Sequence, residues 1–141
     1  MIERVLVAVD GSDPSLKAVR MAAEVAQRFG ARLSLLHVVP RLLLPPDVYG
    51  LAIATVEREH RAYAERVLDD ARKALDVSGL ELTTTVLFGS PAECIAEQAT
   101  APDVGMGVVG SRGHGAVARV FLGSVSDRLI HICSKPVLVV H

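Results

Sequence analysis

The chain alternates short apolar runs with longer amphipathic stretches. Val5-Leu6-Val7-Ala8-Val9, within residues 4–9, is an unbroken apolar run, as a strand buried on both faces of a parallel sheet requires. It stops at Asp10-Gly11-Ser12-Asp13-Pro14, where turn residues overlap helix-start signals: Ser12 or Asp13 can cap, and Pro14 suits a first helical turn. Ala18, Ala22, Val25 and Phe29 then recur at helical spacing over about residues 15–29, widened by Val19 and Ala26, and Gly30 supplies the stop. A second apolar run, residues 32–39, predicts a second strand, ended by Pro40.

Residues 41–50 are apolar but carry Pro45 and Pro46 just after Pro40, which suits neither helix nor strand, so an irregular surface segment is expected. A long helix is predicted over about residues 52–77, with Ala64, Val67, Leu68, Ala71 and Leu75 as its apolar stripe and a solvated charged face; Gly79 closes it. Thr83, Thr84, Thr85 and Val86 mark a third strand over residues 81–88, less buried than the first. Ser90-Pro91 with Glu93 three after Ser90 starts a short helix close to a capping-box pattern, with Ile95, Ala96 and Ala99 inward. A fourth strand over residues 106–109 ends at Gly110, a loop covers residues 111–122, a helix runs from Ser124 to about Cys133, and Pro136 leads into a fifth strand, residues 137–140.

Five alternations of strand and helix imply an α/β fold with an open parallel sheet covered by helices on both faces. The most apolar strand, the first, is expected at the centre and the fifth at an edge. Ligands in such sheets bind outside the carboxyl ends of strands where the strand order reverses. If the first and fourth strands are neighbours, that crevice lies between Asp10 and Gly110, with Val38 and Val39 beside it.

This gives meaning to the stretch Gly110-Ser111-Arg112-Gly113 and, nine residues on, Gly123-Ser124-Val125. Glycines admit a ligand close to the backbone, and loop amides with a free helix N-terminus point donors at negative charge. The same residues also read as ordinary structure: Ser124 with Asp127 makes a capping box, Gly110 and Gly113 are common turn residues, and Asp10 suits a helix start.

Composition narrows the function classes. The 141 residues, taken as one domain, carry a net charge of −1, two Tyr, three Phe and no Trp. Neither a basic field nor an aromatic platform favours nucleic acid, and no apolar run approaches membrane-spanning length. No signal-peptide pattern opens the chain, and Cys94 and Cys133 form no Cys-x-x-Cys pair; free thiols in a cytoplasmic protein are expected. Gly105-Met106-Gly107-Val108-Val109-Gly110 matches Gly-x-Gly-x-x-Gly, yet its second half is a strand, the wrong context for a dinucleotide fingerprint. A Walker-type lysine and a Gly-x-Ser-x-Gly elbow are absent, and the five histidines show no metal-ligand spacing. His37 reads as a core or edge histidine, and His114 as a loop histidine with a ligand contact open to it.

Val7-Ala8-Val9-Asp10-Gly11-Ser12, Leu35-Leu36-His37-Val38, Gly110-x2-Gly113-x9-Gly123-Ser124 and Pro136-Val137-Leu138-Val139-Val140 together resemble the universal stress protein family, the third stretch being similar to the signature of its ATP-binding branch. The resemblance covers the whole chain. It implies a three-layer Rossmann-like sheet of five parallel strands in order 3-2-1-4-5 with four helices, and a homodimer formed largely through the last strand, Val137–Val140. It also implies ATP, with Mg, as ligand. Ala8, Val9 and Asp10 would line the site, with Asp10 facing the ribose or the phosphate-bound metal, and Val38 would meet adenine beside backbone hydrogen bonds. Gly110 would approach the ribose, and Ser111 and Arg112 would sit in the phosphate loop. Gly113, Gly123, Ser124 and Val125 would wrap the phosphates, with Arg112 and Arg119 as optional cationic help. Residues 102–107 depart from the family by extra length and glycines, which leaves the start of the fourth strand open.

The expected function is a nucleotide-responsive stress-response module without dedicated catalytic residues. A slow ATP hydrolase or nucleotidyl-transfer enzyme, with Asp10 the one candidate acid near the phosphates, and a dimeric interaction protein with a vestigial site are the alternatives. Gly123→Val is expected to bar phosphates while leaving the fold intact.

Overall fold

The computed structural model describes residues 1–41, 51–76, 78–113 and 122–141. The proline-broken segment at 42–50, and His114 and Arg119, lie outside the described residues. Five strands, β1 (Arg4–Ala8), β2 (Arg32–Val39), β3 (Leu82–Phe88), β4 (Val104–Gly110) and β5 (Val137–Val140), form one parallel sheet in the order β3-β2-β1-β4-β5. Helices α1 (Asp13–Phe29), α2 (Leu51–Lys73), α3 (Pro91–Ala99) and α4 (Ser124–Ile132) alternate with them.

Strand alternation sorts the core into two layers of side chains. Val5, Val7, Leu33, Leu35 and Val108 pack under α1 and α2 through residues such as Ala22 and Leu68. Leu6, Leu36 and Val109 pack under α3 and α4 through Ile95 and Leu129. This two-sided burial explains why β1 reads as a continuous apolar run and β2 as an apolar run broken only by Ser34 and His37 after its first residue. β3 and β5 are the edges, and Thr83, Thr84 and Thr85 on β3 are exposed, as their polarity demands.

Several local expectations shift for physical reasons. Ser12 is the N-cap of α1, its hydroxyl accepting from Ser15 N at 3.3 Å, so the helix starts at Asp13 rather than Ser15. Phe29 is 57% exposed although it shares the face of Ala18, Ala22 and Ala26, because it is the last residue of α1, at the helix end just before the left-handed Gly30. Ser90 is the N-cap of α3 without a side-chain cap bond, and Glu93 reaches instead to Arg128 of α4 at 2.9 Å, so no capping box forms there. β4 begins at Val104, two residues earlier than expected. Its extra residue is absorbed by a register shift: Arg4 pairs with Val104 and Val5 with Met106, passing over Gly105. A Cβ at Gly105 would stand 2.9 Å from the Ile2 Cα, so the bulge needs glycine. Cys94 and Cys133 are free and half-buried at the margin of the α3–α4 layer.

At the amino-terminal end of the sheet, Asp103 accepts from Arg4 at 2.9 Å and Arg32 at 2.7 Å, and Arg4 also reaches Ser34 Oγ at 3.3 Å. This cluster ties β1 and β2 to the turn before β4, at the end opposite the cleft described next.

Candidate functional site

β1 runs outward to β2 and β3 on one side, and the chain then returns to place β4 on the other side of β1. The carboxyl ends of β1 and β4 therefore part at the switch point, where an open cleft of about 1060 Å³ lies. Its apolar part is made by Ala8, Val9, Val38, Ile95, Val109 and Val125. Its polar part is made by Asp10, Arg112, Gly113, Gly123 and Ser124. An apolar pocket with a few convergent polar groups is the usual form of a small-molecule site. A smaller groove of about 400 Å³ between α2 and β3 is flanked by Arg61, Glu65, Asp69 and Arg72, and lies away from these residues.

The β1 corner is fixed by short-range bonds. Ser12 donates to Asp10 Oδ1 through its N–H at 2.9 Å and its hydroxyl at 2.5 Å. Asp10 N–H in turn donates to Ser15 Oγ at 3.3 Å. Gly11, with φ 86, occupies the left-handed region and turns the chain from β1 into α1. The other carboxylate oxygen, Oδ2, lies against Gly113, where a Cβ would collide with it. Asp10 and Gly113, 103 positions apart in the chain, are thus packed across the cleft mouth.

The loop after β4 is stitched to both neighbours through Ser111. Its N–H donates to Val140 O at 2.7 Å, and its carbonyl accepts from Gly123 N at 2.6 Å and Ser126 Oγ at 2.9 Å. Gly123 is the N-cap of α4 and has no side chain to offer, so Ser124 is the first helical residue. The capping box read from Ser124 and Asp127 therefore does not form. The first turn of α4 carries no side-chain cap, and it opens on the cleft beside the exposed Ser124 hydroxyl. The amides of a helix start, with the positive end of the macrodipole, make this an anion-favouring wall. Asp127 on the same turn sets a carboxylate at its rim.

Of the residues singled out from sequence, Ala8, Val9, Asp10, Val38, Gly110, Arg112, Gly113, Gly123, Ser124 and Val125 all line this cleft. Ser111 does not: it is fully buried, and its hydroxyl has no hydrogen-bond partner. Gly110 has a packing reason of its own. A Cβ there would stand 2.7 Å from Pro14 C and 2.9 Å from Ser15 N, so its glycine lets the start of α1 close on β4.

Sequence reasoning passed over other contributors. Ser126, buried, bonds Gly123 O at 3.1 Å besides Ser111 and so holds the helix start in place. His37 is buried on the cleft, its Nδ1 2.6 Å from Val9 O and its ring edge-on to Tyr63 at 6.1 Å between centroids. Neither has a signal in the pattern, since a serine in a helix and a histidine in an apolar strand read as filler.

Fold and cleft define a doubly wound α/β protein with an open cleft at the topological switch point. The chain belongs to the universal stress protein family, whose family model matches residues 1–141. It is 32% identical over 147 residues to universal stress protein YxiE of Bacillus subtilis, covering 99% of each chain. Among solved structures it is similar to universal stress protein UspA from Lactobacillus plantarum, with a TM-score of 0.89, 25% identity and coverage of 99% of this chain and 98% of that one. A universal stress protein solved in complex with cAMP superposes with a TM-score of 0.70 and 26% identity over 99% of this chain and 97% of its own. Among the described residues no helix is long and apolar enough to cross a membrane.

Proposed function

We propose that the cleft binds an adenine nucleotide, with ATP as the ligand its phosphate wall suits, and that binding rather than turnover is its function. The observation that carries this reading is the uncapped start of α4, which opens on the same cleft as the end of β1 and the Val38 edge of β2. One end of the cleft is apolar and strand-lined, the other rich in backbone donors, as a base and its phosphates require. The similarity to a family member solved with cAMP supports the same ligand class here.

The Val38 edge supports base recognition. The β1–β2 ladder pairs Ala8 with Leu36 and ends with Val9 N–H donating to Leu36 O at 2.8 Å. Val38, two residues on, directs its N–H and C=O the same way, past the end of β1 and toward the cleft it lines. That donor and acceptor match N1 and the N6 amino group of adenine.

Among the described residues no group of three or more His, Cys, Asp or Glu could hold a metal ion. A magnesium ion would arrive on the phosphates and meet Asp10, which fits a single carboxylate beside Gly113. With Asp10 committed to the Ser12 corner and the cleft built from backbone donors, a responsive module is favoured over a hydrolase. A homodimer through β5 is part of this proposal: it is an edge strand of four apolar residues, Val137–Val140, and an unpaired apolar edge invites a second copy.

Calorimetric titration with ATP, AMP and cAMP, with and without Mg²⁺, tests the central reading; absence of heat at millimolar ATP would sink it. Many rounds of phosphate release per minute, abolished by Asp10→Ala, would replace the module with an enzyme. Sedimentation showing a monomer at every concentration would remove the β5 dimer.

A further inference from the structure

In a parallel ladder the rung after Val9 N–H to Leu36 O is Val38 N–H to the carbonyl of the same Val9. That rung does not form, and the carbonyl takes a side-chain donor instead. His37 Nδ1 lies 2.6 Å from it, and because a carbonyl only accepts, Nδ1 carries the proton and donates. The donor comes from the residue next to Val38; that histidine is 7% exposed and steadied by a T-shaped contact with the Tyr63 ring.

We propose that His37 is a positioning residue for the nucleobase: its imidazole takes the Val9 carbonyl, stops the β1–β2 ladder one rung early, and so keeps the Val38 N–H free to read the base. The inference rests on the adenine-nucleotide reading above and assigns to it the group that creates the base-reading edge. In this role His37 acts through Val9 and Val38. A core histidine that merely fills space would leave the Val38 amide indifferent to its removal. A ladder stop would not.

The test compares AMP with 1-deaza-AMP, in which the N1 acceptor is replaced by C–H. Wild-type protein should bind AMP about 3- to 10-fold more tightly than the analogue, the worth of one hydrogen bond. In His37→Leu, which removes the donor at similar bulk, the freed Val9 carbonyl should recruit Val38 N–H. AMP should then weaken by about the same factor, and the two ligands should bind alike. His37→Asn, which sets an amide N–H at the Nδ1 position, should restore the discrimination. A folded His37→Leu that discriminates as well as wild type would overturn the proposal.

A second measurement needs neither variant nor ligand. By amide hydrogen exchange the Val38 N–H of unliganded wild-type protein should be at least about tenfold faster than the ladder amide of Leu36. Equal protection of the two would also overturn it. Failure of wild-type protein to bind AMP at all would remove the nucleotide reading alone, since the exchange experiment reports on the ladder without a base.

Discussion

Ser111 donates its backbone N–H to the Val140 carbonyl at 2.7 Å, joining the loop after β4 to the last residue of the edge strand β5. The Ser111 carbonyl holds Gly123 and Ser126, so the edge of the sheet and the start of α4 share one residue. Whatever pairs with β5 therefore lies one residue from the anion-favouring wall of the cleft. The Ser111 side chain plays no part in this, because all three bonds use its backbone, and its buried hydroxyl has no partner. Ser111→Ala should leave nucleotide affinity unchanged and hold or raise stability by up to about 1 kcal/mol, since an orphaned buried hydroxyl costs desolvation. Urea unfolding with a parallel ATP titration checks both halves.

Gly110→Ala should act through packing. Its Cβ would stand 2.7 Å from Pro14 C, backbone that cannot swing aside, so α1 must retreat from β4. A loss of about 1–3 kcal/mol is expected from overpacking. The retreat moves the Ser12–Asp10 corner as well, so ATP affinity should fall with stability. A variant of wild-type stability would show that α1 does not press on β4 there.

Gly123→Val is a poorer probe of the phosphate wall than the sequence pattern implies. A Cβ at Gly123 would lie 3.2 Å from Arg112 Cα and 3.4 Å from Ser111 O, so valine would disturb the loop seam itself. Ser124→Asp separates the effects. A carboxylate in the first turn suits the helix dipole, so the thermal midpoint should hold or rise slightly. The same charge faces arriving phosphates, so ATP affinity should drop about tenfold or more. Unchanged affinity in a folded variant would place the phosphates elsewhere.

Asp103 makes the fold acid-sensitive at the end of the sheet away from the cleft. The Arg4 hydrogen bond, with lesser help from the Arg4 and Arg32 charges, holds its carboxyl below the usual carboxylate range. Its folded value lies below its unfolded value, so the contribution is present above about pH 4 and fades as pH falls through the folded value. Urea midpoints at pH 6 and pH 3 should differ less in Asp103→Asn than in the wild-type protein. An equal acid loss in both would assign the sensitivity to other carboxylates.

Much of the fold was legible because strand and helix periods differ. The continuous apolar run at β1 and the mostly apolar β2 announced two-sided burial, and the Thr-rich β3 announced an exposed edge. The glycine pattern pointed to a loop at the sheet's switch point, and ten of the eleven residues chosen with it line one cleft. Legibility failed where a residue's neighbour is remote in the chain. Glu93 looked like a capping partner and instead meets Arg128, because α3 and α4 lie side by side on one face. The added glycines left the start of β4 open, and Gly105 proved to be a bulge, because Arg4 pairs with Val104 and Val5 with Met106.

Composition and period thus determined the element order, the layers and the stretch that forms the cleft wall, since those depend on which side chains must leave water. Which atoms are free at that wall was decided only by tertiary structure. Gly123 rather than Ser124 caps α4, Gly110 is small for the sake of Pro14, and His37 takes the carbonyl of Val9. Each of these is a contest among donors, acceptors and volumes brought together by the strand order, and no local pattern records who wins it.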